Sequence, residues 1–443
     1  MENLDNIARE PQFELYKPVS RVQPLSKNHK TRRLLSLFSG CGGMDLGFEG
    51  GFVCHTNSIN MLLEADLVER RVSDSWLKLK ETRFETVFSN DILTEAQIAW
   101  TNNFRKYGKH AETFNRNSIV DIVKMHKLVG GMLPDDIDIV TGGFPCQDFS
   151  LAGKRAGFNS HKNHYGKIEV ADIPTEETRG MLYYWMKEVI AITKPKIFVA
   201  ENVKGLVNLE NVKQIIENDF SSIDNDGYLV LPAKVLHAAD YGIPQSRERV
   251  IFIGINRAKA TPDAIKSLEQ LGEKSPYYPY PEITHAYNHK EPHLKQPVCL
   301  LDVLGELDEP EETTDPSQAV YSKAKFLSKG QGQTEIKLSG IGPTIRAEHH
   351  GNIEFRRLSL EHKGKYQSEL NEGKGERRLT PRECALIQTF PPDFVFVTPR
   401  SNDKLVPLSS SQAYKVIGNA VPPLLAYKIA MKIESLWSNL FQA

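Results

Sequence analysis

Cys146 sits in the run Gly142-Gly143-Phe144-Pro145-Cys146-Gln147-Asp148-Phe149-Ser150, directly behind a proline. The stretch before it, Asp136-Ile137-Asp138-Ile139-Val140-Thr141, has the short, β-branched pattern of a strand buried in a parallel sheet. A thiol at the carboxyl end of such a strand stands where α/β folds place their chemistry, and its thiolate is a candidate nucleophile. A free cysteine is otherwise most often a small buried hydrophobe, and Cys146 alone does not decide between the two. A second cluster, Phe38-Ser39-Gly40-Cys41-Gly42-Gly43-Met44-Asp45-Leu46, offers bare glycine backbone that can approach a ligand between a strand and a helix. A dinucleotide fingerprint needs Gly or Ala at position 45, where this chain has Asp45, and no Gly-x-x-x-x-Gly-Lys-Ser/Thr run occurs. What remains is a nucleoside-bearing cofactor of another kind. Asp91, in Phe88-Ser89-Asn90-Asp91 after the next strand, is placed to hold its ribose hydroxyls.

Groups so spaced require an alternating chain of strands and helices to bring them to one edge. Arg33 to Phe38 reads as a strand, Gly40 to Gly43 as a tight turn, and a helix starts near Met44 or Asp45. Phe84 to Ser89 is a second strand with a helix over Glu95 to Phe104; Ile137 to Val140, Met181 to Ile192 and Ile197 to Ala200 give strand, helix and strand. The pattern predicts an α/β fold with a doubly wound, mostly parallel sheet. The rhythm stops near residue 258 and resumes near Arg377. Residues 1–30 are therefore expected to form a flexible arm, 31–257 a catalytic and cofactor-binding domain, 258–376 a smaller inserted domain, and 377–443 the return to the catalytic domain.

Composition sets the outer bounds. With 443 residues, 40% hydrophobic and 25% charged, the chain can build a full core in more than one domain. Its five cysteines form an odd set with no Cys-x-x-Cys pair, which argues for a reducing compartment and against a structural metal. No segment approaches the ~18 apolar residues of a membrane span, so a cytoplasmic location is expected. Net charge is −1, which hides a local segregation: Asp302 to Asp315 holds seven acidic and no basic residues, whereas Tyr321 to Lys365 holds nine basic against four acidic. That second stretch is a candidate basic surface, or simply a solvated one.

Further motifs follow in order. Glu201-Asn202-Val203 comes after the strand Lys196 to Ala200; Gln245-Ser246-Arg247-Glu248-Arg249 leads into Val250 to Ile255; Arg378-Leu379-Thr380-Pro381-Arg382-Glu383 and Gln388-Thr389-Phe390-Pro391 precede Gly418-Asn419-Ala420-Val421-Pro422-Pro423. Together with Phe38-Ser39-Gly40-x-Gly42-Gly43 and Pro145-Cys146-Gln147, they resemble the DNA cytosine-5 methyltransferases of bacterial or phage restriction-modification systems, from about Leu34 to Pro423. The resemblance implies a Rossmann-like fold that uses S-adenosylmethionine, with 258–376 as target-recognition domain. It implies site-specific methylation at C5 of cytosine in double-stranded DNA, through an adduct between Cys146 and C6 of a flipped base. Glu201 would hydrogen-bond or protonate N3, Arg249 and behind it Arg247 would hold O2, and a base, potentially a water, would remove the C5 proton. The strand after the arginine motif runs antiparallel in the family, which brings both arginines to the same edge.

Cofactor contacts are expected from Phe38, Ser39, Gly40, Gly42, Gly43, Asp91, Ser118, Ile119, Pro145, Asn419, Ala420 and Val421. DNA contacts are expected from Gln147, Ser150, Lys154 and Arg155, in a closing loop from Gln147 to Gly180, and from Arg346 in the segment Gly342 to Asn352. Each catalytic residue also has a structural alternative: Glu201 as a helix N-terminal carboxylate, the arginines as ion-pair partners, Asn419 as a turn residue. Three features depart from the family pattern. His55 to Thr82 is inserted and is expected to add a helix; Asn117-Ser118-Ile119 replaces Gly-Asp-Ile, with Asp121 as one substitute carboxylate; and Asn159 to Glu176 lengthens the catalytic loop. A restriction endonuclease acting independently is the implied companion, with no metal and no membrane. A tRNA cytosine-5 methyltransferase and a catalytically silent relative are the competing readings; the sizeable 258–376 segment weighs against the first, and retention of Cys146, Glu201, Arg247 and Arg249 against the second.

Overall fold

Leu34, Leu35 and Leu37 are buried on both faces of the strand Arg32–Leu37, the environment that unbroken apolar runs demand in a parallel sheet. The computed structural model describes residues 31–145, 182–208, 212–224, 227–327, 333–347, 353–401 and 405–442. The expected arm at 1–30 lies outside the described residues, as do Cys146, Gln147, Ser150, Lys154, Arg155 and the loop that carries them.

Among the described residues the main sheet has eight strands. Their spatial order is Lys234–His237, Glu248–Asn256, Ile197–Val203, Ile139–Gly143, Arg32–Leu37, Phe84–Asn90 and Phe114–Asn115, with Tyr228–Val230 also pairing Glu248–Asn256. The five strands from Ile197–Val203 to Phe114–Asn115 are parallel, and Glu248–Asn256 runs antiparallel to Ile197–Val203. Strand order reverses beside Arg32–Leu37, which leaves a crevice at the carboxyl ends between it and Ile139–Gly143. The doubly wound α/β expectation and the antiparallel arginine strand both hold.

The inserted segment does not add an α-helix. Val53–His55, Trp76–Leu79 and Val68–Arg71 form a separate antiparallel sheet, joined by short 3-10 turns. The signal was a period of two: Leu77 and Leu79 are buried while Trp76 and Lys78, which alternate with them, are half-buried. Beyond residue 258 the expected second domain does not keep a core of its own throughout. Ala264, Leu268, Tyr280, Val298 and Leu300 join the core that also contains Leu34 and the terminal helix Pro423–Leu440. A small separate cluster of Ile353, Phe355 and Leu358, with Ala324 and Phe326 against it, lies within the 258–376 stretch.

The basic stretch is partly neutralised from inside. Arg357 is 1% exposed and pairs with Glu309 at 2.7 Å and Glu369 at 2.8 Å, while Arg377 joins Glu309 at 2.9 Å and Glu383 at 2.8 Å. Burial works against the charge on Glu309, yet hydrogen bonds from Arg357 and Arg377 hold its carboxyl down to about 2. Glu309 of the acidic run thus pairs with Arg357 of the basic run.

Candidate active site

The glycine turn is built by groups that face inward. Ser39 donates its N–H to Asn90 O and its hydroxyl to Ser36 O, accepts from Asn90 N at that hydroxyl, and accepts from Gly42 N at its carbonyl. The Ser39 hydroxyl is thereby engaged in shaping the turn. Asp45 is fully buried and accepts from Ser36 Oγ at 2.5 Å, Ser89 Oγ at 2.8 Å and Trp100 Nε1 at 2.7 Å, so it ties two strands to the helix Thr94–Phe104. Burial raises its carboxyl above the ordinary range against these three donors. Gly42, at φ 86°, lies where a Cβ would be 2.5 Å from Phe104 and 2.7 Å from Trp100. Gly40, at φ 55°, has nothing within 4 Å of an added Cβ, so the turn opens onto space there. Phe38 also holds a positive φ of 53°, an uncommon conformation for an aromatic residue.

Of the other expected cofactor residues, Asp91 adjoins Gly40 directly, and Ala420 and Val421 adjoin Gly43. Asp91 accepts from Gly40 N at 3.1 Å and Leu93 N at 2.9 Å, and burial pushes its carboxyl up to about 6. Gly43 lets the last motif approach, since a Cβ would be 2.3 Å from Val421 O and 3.2 Å from the Ala420 Cβ. Asn419 is exposed at the end of the helix Ser410–Asn419, beside buried Ala420 and Val421. The buried Ser118 hydroxyl caps the helix Ile119–Val129 by accepting from Val120 N, and Ile119 is buried beside it. Pro145 is half-buried just past the strand Ile139–Gly143.

On the other side of the crevice, Glu201 lies in Ile197–Val203 with its side chain 10% exposed. Its Oε1 is 2.6 Å from Arg249 Nε, because antiparallel register sets Arg249 against Val203, the next residue on the same face. Burial raises the Glu201 carboxyl above its ordinary range, with Arg249 and then Arg247 pulling it back. Asn202, pointing the opposite way, donates to Phe144 O at 3.2 Å and so anchors the backbone that leads to Pro145 and Cys146.

Arg247 does not share that position. It is 1% exposed and donates to Ile345 O at 2.9 Å, Gly418 O at 3.0 Å and Ala420 O at 2.8 Å. These hydrogen bonds tie its own loop to the Ile345 segment and to the Gly418 loop, and it reaches Glu201 as a nearby charge. Gln245, fully buried, accepts from Ile345 N and donates to Gln388 Oε1, and Gln388 in turn donates to Ile417 O. The arginine loop, the segment after Arg378 and the Gly418 loop are thereby one unit. Arg346 is exposed immediately beyond this clamp, with its backbone against Gly418.

The model of the C-5 cytosine-specific DNA methylases matches residues 74–435. The chain belongs to that family. The methylase is 31% identical over 422 residues to the type II methyltransferase M.BsuRI of Bacillus subtilis, covering 93% of this chain and 81% of the relative. It is 32% identical over 406 residues to M.BspRI of Lysinibacillus sphaericus, covering 90% of this chain and 81% of that one. Among solved structures, EhMeth of Entamoeba histolytica is similar in fold at a TM-score of 0.52 and 16% identity, over 92% of this chain and 99% of that one. The family match starts beyond the glycine cluster, within the inserted sheet.

Two positions in the methylase's site carried no role in the sequence reading. Asn202 was visible only as part of the Glu-Asn-Val motif, and Gly143 only as part of the run before Pro145. A Cβ on Gly143 would lie 2.7 Å from Glu201 Oε2, so the glycine makes room for the carboxylate. Among the described residues no cluster of His, Cys, Asp or Glu suits a metal ion, and no described helix is long and apolar enough to cross a membrane.

Proposed function

We propose that this DNA cytosine-5 methyltransferase modifies cytosine within one short duplex sequence, through a transient bond between Cys146 and C6 of a flipped base, and that it protects host DNA from a companion endonuclease. The observation that carries this reading is the Glu201–Arg249 pair: a buried carboxyl with its proton affinity raised, fixed at 2.6 Å by a guanidinium, opposite Gly143 at the end of the neighbouring strand. Cytosine C5 is a weak nucleophile. Addition of the Cys146 thiolate at C6 makes the ring an enamine, and proton donation from Glu201 to N3 disperses the charge that the addition creates. Arg249 orients that carboxyl and faces the carbonyl beside N3. Attack comes from the ring face, so the cytosine leaves the base stack.

The residues around Gly40 fit S-adenosylmethionine. The turn opens onto space at Gly40, whose N–H donates to Asp91, and Gly43 abuts Ala420 and Val421. When bound, the cofactor supplies an electrophilic methyl group on sulfonium. Asp91 would accept the ribose hydroxyls, and the capped turn at Ser118 and Ile119 would border the base. After transfer, loss of the C5 proton to a base releases the Cys146 thiolate. Loop residues Gln147, Ser150, Lys154 and Arg155 would close over DNA, with Arg346 contacting it from the recognition side.

The test is expression in a bacterial host lacking cytosine methylation, beside Cys146→Ala, with bisulfite mapping of total DNA. Methylation at one short sequence, lost in the variant, is expected. Unmethylated DNA from folded, cofactor-binding protein would overturn the reading.

A further inference from the structure

A 3-10 turn of the inserted segment, Thr56–Ser58, meets the catalytic unit at the turn that leads into the arginine motif. Gly242, at φ 79°, precedes Gln245, Arg247 and Arg249, and a Cβ there would lie 2.2 Å from Ser58 O and 2.7 Å from His285 Cε1. Ser58 belongs to the insertion and His285 to the segment after the sheet, so two outside elements close on one bare α-carbon. His285 is fully buried. Its Nε2 donates to Asn57 O of the insertion at 2.9 Å, and its backbone N–H and that of Thr284 both donate to Asp240 O at 3.0 Å.

The tautomer of His285 is fixed by its neighbours. Lys428 Nζ donates to Thr284 Oγ1 at 2.9 Å, leaving the threonine hydroxyl to donate to His285 Nδ1 at 2.9 Å and Nε2 to carry the ring proton. Burial, then the charge of Lys428, pushes the imidazole down to about 3, so it stays neutral and acts as a fixed bridge. The insertion is pinned on its other side as well: Asn60 donates to Thr284 O and His293 O, and Glu64 pairs with Lys428 at 2.6 Å. From Gly242 the path to the site is short, since Ala238 N donates to Arg247 O at 2.8 Å.

We propose that the inserted segment positions the arginine loop, with Ser58 and the His285 bridge to Asn57 holding Gly242 so that Arg249 stays in register with Glu201. His285 is a positioning residue in this scheme, remote from substrate. The inference rests on the proposed role of Glu201.

The experiment measures single-turnover transfer of a tritiated methyl group from S-adenosylmethionine to unmethylated bacterial DNA, with active sites titrated by cofactor binding so that misfolded protein does not count. H285L removes the donor to Asn57 and G242A forces the turn away from Ser58. Each is expected to lower the rate constant per site about tenfold or more, since a displacement of about 1 Å can cost 10²-fold, with cofactor affinity within about twofold of wild type. H285Q, which restores an N–H donor, is expected to recover most of the rate. Wild-type rates in H285L and G242A, or equal losses in H285L and H285Q, overturn the proposal. E201Q keeps the two readings apart: full activity in E201Q removes the acid, whatever His285 does.

Discussion

Gly143 and Glu201 stand opposite each other in register on neighbouring parallel strands, and the missing side chain of the one leaves room for the carboxylate of the other. A Cβ on Gly143 would lie 2.7 Å from Oε2, closer than packed atoms sit. Gly143→Ala is expected to push the Glu201 carboxylate off Arg249 and lower methyl transfer by about 10²-fold, within the range of a general acid. Glu201→Asp in the same chain, one methylene shorter, should recover part of that loss. Single-turnover rates of the two variants, with thermal melting to confirm a folded protein, check the point.

Arg247→Ala removes hydrogen bonds to three carbonyls, on Ile345, Gly418 and Ala420, in a fully buried setting. Stranding buried acceptors costs about 1–3 kcal/mol each, so a loss of several kcal/mol is expected, seen as a lower denaturation midpoint. Arg249→Ala, nearer the surface of the site, should cost less stability and more rate. The contrast between the two arginines separates clamp from catalyst.

Asp91 supplies a pH dependence. Its carboxyl is pushed up to about 6 by burial, and the ionised form is the one with free acceptors for ribose hydroxyls. Cofactor affinity should therefore be full above pH 6 and weaken by about tenfold per pH unit below it, if only the ionised form binds. Titration calorimetry across pH 5 to 8 should show this, and Asp91→Asn should flatten the profile.

Cys41, Cys54 and Cys384 are buried, and burial raises all three thiols, Cys54 to about 12. Cys299 is less covered but is also raised, by burial and then by Asp302. Mild alkylation at pH 8 should abolish methyl transfer through Cys146 while Cys299→Ala leaves both activity and its loss unchanged. Mass spectrometry of the labelled peptide identifies the site.

Arg346 is exposed just beyond the clamp of Gln245 and Arg247. Arg346→Ala should weaken DNA binding by about 1–3 kcal/mol if it contacts a base edge, with relaxed sequence preference. Competition binding against unrelated duplex measures both. Unchanged affinity and preference would remove it from the DNA surface.

The order of the motifs in the chain determined the family, because its motifs set particular residue types at strand ends, and strand ends are legible from short runs of neighbours. The βα rhythm likewise gave the sheet. Tertiary structure decided how the parts divide the work. Arg247 and Arg249 are two residues apart and look equivalent along the chain, yet the first points into three carbonyls and the second to Glu201. Asp45, which reads as a mismatch in a glycine motif, is a buried tie between Ser36, Ser89 and Trp100. Ser39 and Ser118 direct their hydroxyls to their own backbone turns, and the insertion, expected to add a helix, forms a sheet beside a 3-10 turn whose Ser58 seats Gly242. In each case the outcome depends on which distant strand or loop lies across from the residue, and register and burial between distant segments leave no local trace in sequence.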